Sequence, residues 1–204
     1  NDYHNHLKDI CLFIAVSQTK LHRPDSALYY YQRALYCRNP ETDTADYASN
    51  PPNLRQCDRW VLDVTGRKIT ALKMLRQKEA DADSCLAIYR LIAANAAYYS
   101  SLVEVLLRDK TFLADQMHLL RENIRSHMLA GMDACYALHD KSGGDHYFKQ
   151  ALMFSETGKY LLLKSMMDSR ANKNRLPDSL SSLDSELHGR INRLHMDIER
   201  RKAD

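Results

Sequence analysis

The chain has 204 residues, 45% of them hydrophobic, and a formal charge of +3 from 29 basic and 26 acidic side chains. That length supports one sizeable domain or a short repeat array, and the charge excess is too small to imply nucleic acid or an anionic membrane as a partner, so no nucleic acid is expected. With only six Gly and five Pro, turns are few and elements long. Long elements rich in Leu, Ala, Lys, Arg and Glu are helices, and the scarcity of β-branched residues excludes a large sheet.

The first helix spans residues 3–21, with Leu7, Ile10, Cys11, Ile14 and Ala15 at the 3- and 4-residue spacing of one face. Pro24 and Asp25 open a second helix over 24–37, since Pro costs no hydrogen bond in a first turn and Asp suits the positive end. Asn39-Pro40 stops it. A polar, Pro-bearing loop over 41–53 marks a module boundary. The third helix starts near Asn53 and runs to Gln77, with Trp60, Val64, Ala71, Leu72 and Leu75 on its apolar side. After the acidic break at 79–83, the fourth carries the seam Cys85, Tyr89, Ile92, Ala96, Tyr99, Val103, Leu106. The fifth starts at the N-cap Thr111 and repeats that rhythm through Leu113, Met117, Leu120, Ile124, Met128, Gly131, Cys135 and Leu138, and Gly143-Gly144 stops it. The sixth begins near Asp145, with the small residues Ala151 and Gly158 forming a groove for a neighbour. The seventh, after Leu176-Pro177, has the seam Leu180, Leu183, Leu187, Ile191, Leu194 and Ile198, spaced like a coiled coil or a docked amphipathic helix.

The first pair resembles a tetratricopeptide repeat. Ile14 and Ala15 take the large and small positions of its first helix, Ala27, Tyr31 and Ala34 the small–large–small order of its second, and Pro40 ends the unit. Gln18 departs from the pattern, which usually has an aromatic there. The fold expected is all-α: a tetratricopeptide-like stack of about seven helices in antiparallel hairpins, forming a right-handed α-solenoid. Its parts are residues 1–40 as the repeat, 41–53 as loop, 54–172 as longer hairpins and 173–204 as the C-terminal amphipathic helix.

From Asn53 onward the chain resembles the helical linker of bacterial CHAT proteins. The carrying residues are the run from Ala151 to Lys159, Leu161-Leu162-Leu163, the opening Leu176-Pro177-Asp178-Ser179-Leu180, and the closing seam Leu183, Leu187, Ile191, Leu194. Thr157-Gly158 departs from the small-Lys-Ser or small-Arg-Ser usual there. The resemblance implies a regulatory arm followed by a caspase-like cysteine peptidase domain. The chain opens on Asn1 rather than Met and reads as an excised segment of such a protein.

For catalysis in the segment itself the residues offer little. Asp133-Ala134-Cys135 superficially resembles a peptidase cysteine motif, but Cys135 falls on an apolar seam and precedes His188, the reverse of the required order. His4 and His6 share no helix face, and no Glu-x-x-His pair, phosphate loop or nucleophile elbow occurs, so no cofactor or metal is expected. The five cysteines (Cys11, Cys37, Cys57, Cys85, Cys135) are odd in number with no C-x-x-C, which fits free thiols in a reducing, cytoplasmic compartment. No apolar run reaches the roughly 18 residues of a membrane helix. A non-catalytic scaffold binding a protein or peptide is expected. Tyr29 and Tyr30 are its candidate contacts, because consecutive Tyr29-Tyr30-Tyr31 cannot all face inward. The Leu180–Ile198 seam is the candidate interface for a downstream domain. In the alternative reading, a dimerising sensor arm of a signalling or transcription regulator, that seam joins two copies.

Overall fold

The computed structural model describes residues 2–53, 58–108, 114–173 and 186. Among the described residues the chain is all-α: α1 (Asp2–Lys20), α2 (Pro24–Arg38), α3 (Arg59–Lys78), α4 (Ala82–Arg108), α5 (Ala114–Ser142) and α6 (Asp145–Lys173). By contacts the chain divides into the units Asn1–Leu162 and Leu163–Asp204. In the second unit the described backbone is the helical end of α6 and helical Glu186. The expected seventh helix, its Leu180, Leu183, Leu187, Ile191, Leu194 and Ile198, and the Thr111 cap all lie outside the described residues.

Local chemistry sets the ends of these helices. Pro24 sits in the first turn of α2 with Asp25 beside it. The α1–α2 turn is a Schellman closure: Arg23 N donates to Gln18 O and His22 N to Thr19 O, with His22 at φ 55°. Gly143 plays the same left-handed part after α5, at φ 65°, and donates to His139 O over 2.7 Å. The third helix begins at Arg59 rather than near Asn53. Asp58 caps it by accepting from Val61 N at 3.2 Å, a contribution of about 1 kcal/mol. Asp81 does the same for Ser84 N at 2.8 Å.

Residue pairs give the packing directions within the first unit. Thr19 Oγ1 meets Tyr31 Oη at 3.1 Å. Lys68 reaches Gln32, and Arg38 reaches Asp58 at 3.1 Å, so α2 and α3 run antiparallel. Gly66 lies against Tyr99, while the Arg76 guanidinium stands 4.9 Å from the Tyr89 ring centre, which makes α3 and α4 antiparallel. Tyr99 meets His127 and Ala96 meets Gly131, so α5 turns back again. Gly131 also faces Phe154, and the Tyr136 and Phe148 rings are 6.5 Å apart, which returns α6 alongside α5. Neighbouring helices thus pack in sequence order, up and down, around one continuous core.

Burial follows the expected seams on α4 and α5, whereas on α1 Cys11 and Ala15 are buried but Ile10 is 55% exposed, because α1 packs almost entirely on α2 alone. Ala15, Ala27, Tyr31 and Ala34 are buried, as are Ile92, Ala96, Tyr99, Val103, Ile124, Met128, Cys135 and Leu138. On α4 a second face is buried as well (Ile88, Ala93, Asn95, Leu102), because this helix is held between α3 and α5. Gln18, at the position where the repeat usually has an aromatic, keeps a buried Oε1 that meets no donor among the described residues. Ala151 is buried as expected, and Gly158 has no described atom within 4 Å of where a Cβ would stand.

Candidate functional site

A cleft of about 190 Å³ opens where α3 and α5 come together. From α3 it is lined by Leu62, Asp63, Gly66, Arg67 and Thr70, from α5 by Asn123 and His127, and Tyr99 of α4 closes its floor. The i, i+3 and i+4 steps from Asp63 to Gly66, Arg67 and Thr70 place these residues on one stripe of α3. Asp63 accepts from Arg67 Nε at 2.8 Å. Both side chains remain nearly half exposed, so the pair stays available to a ligand. Asn123 is exposed and unites donor and acceptor in one side chain.

Gly66 is what lets the two helices meet here. A Cβ on it would stand 2.6 Å from His127 Nε2 and 3.2 Å from Tyr99 Cε2. The His127 ring lies edge-on to Tyr99 with centroids 4.9 Å apart. Burial, reinforced by Lys73 and opposed by Asp63, lowers His127 from its ordinary 6.5 to about 4. It is therefore neutral at pH 7.

This carries a stability prediction. The unfolded chain binds a proton at His127 near pH 6.5 and the folded chain only near pH 4. The contribution is present above 6.5 and lost as pH falls from 6.5 through 4. Urea unfolding at pH 7 and pH 4.5 should show the native protein losing about 2 kcal/mol more than His127→Gln. Equal losses would refute this assignment.

The second polar site is wholly internal. Lys68 is fully buried on α3, and its Nζ donates to Gln32 Oε1 (2.8 Å), Ser49 O (3.1 Å) and Asn50 Oδ1 (3.1 Å). Gln32, also fully buried, donates to Asp43 O and Ser49 O. Buried Asn95 of α4 donates to Tyr47 O at 2.9 Å and accepts from Asn50 Nδ2 at 3.1 Å, and Tyr98 Oη donates to Pro51 O at 2.8 Å. Residues 39–53 are therefore drawn onto α2, α3 and α4 and belong to the first compact unit.

Of the sequence candidates, Tyr29 is 43% exposed and Tyr30 half-buried against the core. Their rings stand edge to face at 5.1 Å. Arg33 donates to Tyr29 Oη at 2.9 Å and lies 5.8 Å from its ring centre. Neither tyrosine lines the α3–α5 cleft. Cys135 is fully buried and burial pushes its thiol up to about 11, so it is protonated and inert at neutral pH. Sequence reasoning missed Asp63, Arg67, Asn123 and Lys68. Lys68 carried a signal, since it stands in phase between Val64 and Leu72 on the apolar stripe.

Among the described residues no helix is long and apolar enough to cross a membrane. No family model, no curated protein and no solved structure matches this chain.

Proposed function

We propose that this chain is a non-catalytic, cytoplasmic protein-interaction segment of a larger bacterial multidomain protein, a tetratricopeptide-like right-handed α-solenoid that takes an extended peptide along the α3–α5 cleft. The observation that carries the reading is the cleft itself. Asp63, Arg67 and Asn123 reach solvent from rigid helices rather than loops, which is what oriented hydrogen bonding to a peptide main chain requires. The resemblance of 151–198 to CHAT linkers supports a caspase-like cysteine peptidase as the downstream domain that the segment regulates.

The test is selection of binders from a random-peptide library, followed by calorimetric titration of the selected peptides. Asn123→Ala sits at an exposed position, leaves the fold intact and should weaken binding about tenfold, the effect of one well-placed hydrogen-bonding side chain. Tyr29→Ala should leave it unchanged. The reverse pattern would move the binding face to α2. A library that yields no binder would overturn the reading.

A further inference from the structure

The α1–α2 hairpin brings two of the five cysteines together. Thr19 meets Tyr31 across the antiparallel pair, and that register sets Cys11 opposite Cys37 two turns farther from the connecting turn. Ala15, one turn from Cys11, and Ala34, one turn from Cys37, are both fully buried, so the helices approach closely beside the thiols. Cys11 and Cys37 are 4% and 9% exposed, so both thiols are enclosed between the packed helices. A disulfide needs a short Cα separation, and close packing of α1 on α2 at buried Ala15 and Ala34 is the condition that allows it.

We propose that Cys11 and Cys37 are a reversible redox pair, oxidised by a small peroxide to a disulfide that clamps α1 to α2. Cys37 is the attacking thiol. It keeps the larger share of exposed surface, and the Arg33 guanidinium acts on both sulfurs. Its thiolate attacks one peroxide oxygen and breaks the O–O bond, giving a sulfenic acid and, after protonation, one water. The Cys11 sulfur then attacks the sulfenic sulfur, the S–S bond forms and the hydroxyl leaves as a second water. Two thiols lose two electrons, one peroxide gains them, and a dithiol reductant reverses the step.

Burial, with Cys11 adding to it, pushes the Cys37 thiol up, and Arg33 opposes this. Reaction is therefore slow at neutral pH and quickens as pH rises. Access requires α1 to move off α2, on which it packs almost entirely. Cys135, fully buried with its thiol up at about 11, should not compete. A transient bond of this kind suits a reducing compartment, where disulfides serve sensing rather than structure.

The experiment treats the full 204-residue chain with hydrogen peroxide, alkylates the remaining thiols under denaturing conditions and reads intact mass and a non-reducing digest. The expected product has lost two hydrogens and joins the peptides bearing Cys11 and Cys37. The reductant restores it, and its Tm lies about 5–10 °C above that of the reduced protein. Arg33→Ala should slow crosslinking about threefold or more and move its pH profile upward, while Lys20→Ala, an exposed change on α1, should do neither. The proposal fails if Cys37 gains oxygen without crosslinking, if other cysteines pair instead, or if all thiols stay free. Cys37→Ser checks the assignment, and the wild-type comparison of oxidised and reduced states stands even if that variant folds poorly.

Discussion

Replacing Lys68 with methionine frees the 39–53 loop and lowers stability by about 2–4 kcal/mol. The ammonium is the hub of the loop's attachment. It satisfies three acceptors at once: Gln32 Oε1 from α2, and Ser49 O and Asn50 Oδ1 from the loop. Methionine fills the volume but donates nothing, so Gln32 Oε1 and Asn50 Oδ1 lose this donor and Ser49 O keeps only Gln32, each loss at about 1 kcal/mol. Relief of the buried charge offsets part of this, which keeps the total below the sum of three bonds. Hydrogen exchange should show the amides of residues 42–50 losing protection while α4 and α5 keep theirs. Gln32→Leu removes the other side of the same network, so the double variant should be less damaged than the sum of the singles by about 1–2 kcal/mol. Additive losses would mean that the network is not a unit.

The same residue sets a pH dependence. Burial lowers the Lys68 amine from 10.5 to about 7, with Asp46 opposing. Above pH 7 the folded chain has released a proton that the unfolded chain still holds, so this group's contribution to stability rises from pH 7 toward 10.5 and is flat below 7. Denaturant midpoints between pH 7 and 9 should rise in the native protein relative to Lys68→Met, and parallel curves would contradict the assignment.

The second large effect is expected at Gly131. A Cβ there would stand 2.7 Å from Ala96 Cβ and 2.8 Å from Phe154 Cε2, closer than real Cβ atoms come. Ala96 and Phe154 are both fully buried, so neither can move aside without displacing the core. Gly131→Ala gains about 1 kcal/mol of helix propensity and loses about 1–3 kcal/mol to overpacking. Gly131→Leu has no such compensation and should cost about 3 kcal/mol or more, read as a fall in Tm of about 6–12 °C. A Gly131→Leu protein with native Tm would show that α4, α5 and α6 do not meet at this point.

The helical character of the chain, and most of its helix ends, were legible from residues alone because their causes are local. Pro24 fits a first turn and no interior, Gly143 takes the left-handed conformation that closes α5, and the 3- and 4-residue spacing on α4 and α5 can form one stripe only on a helix. The start of α3 was misplaced because Pro51-Pro52-Asn53 and Asp58 offer rival starts, and the observed cap is the later one. Helical geometry requires one of Tyr29, Tyr30 and Tyr31 to face out, and it is Tyr29 that does, with Arg33 four residues on bonded to it, while Tyr30 is half-buried.

Periodicity identifies a buried face but not what lies against it, and that is where the tertiary structure alone decided. Lys68 stands on the apolar stripe of α3, and only the return of residues 43–50 across α2 and α3 supplies acceptors that make its burial tolerable. From the sequence Gly66 is compatible with a weak point or with close packing, and only His127, about sixty residues away in sequence, shows that it is close packing, from which the cleft with Asp63, Arg67 and Asn123 follows. Helix formation is a property of neighbours in the chain, whereas a partner for a buried cation and the lining of a cleft are properties of residues far apart in it, and those become determinate only when the helices are stacked.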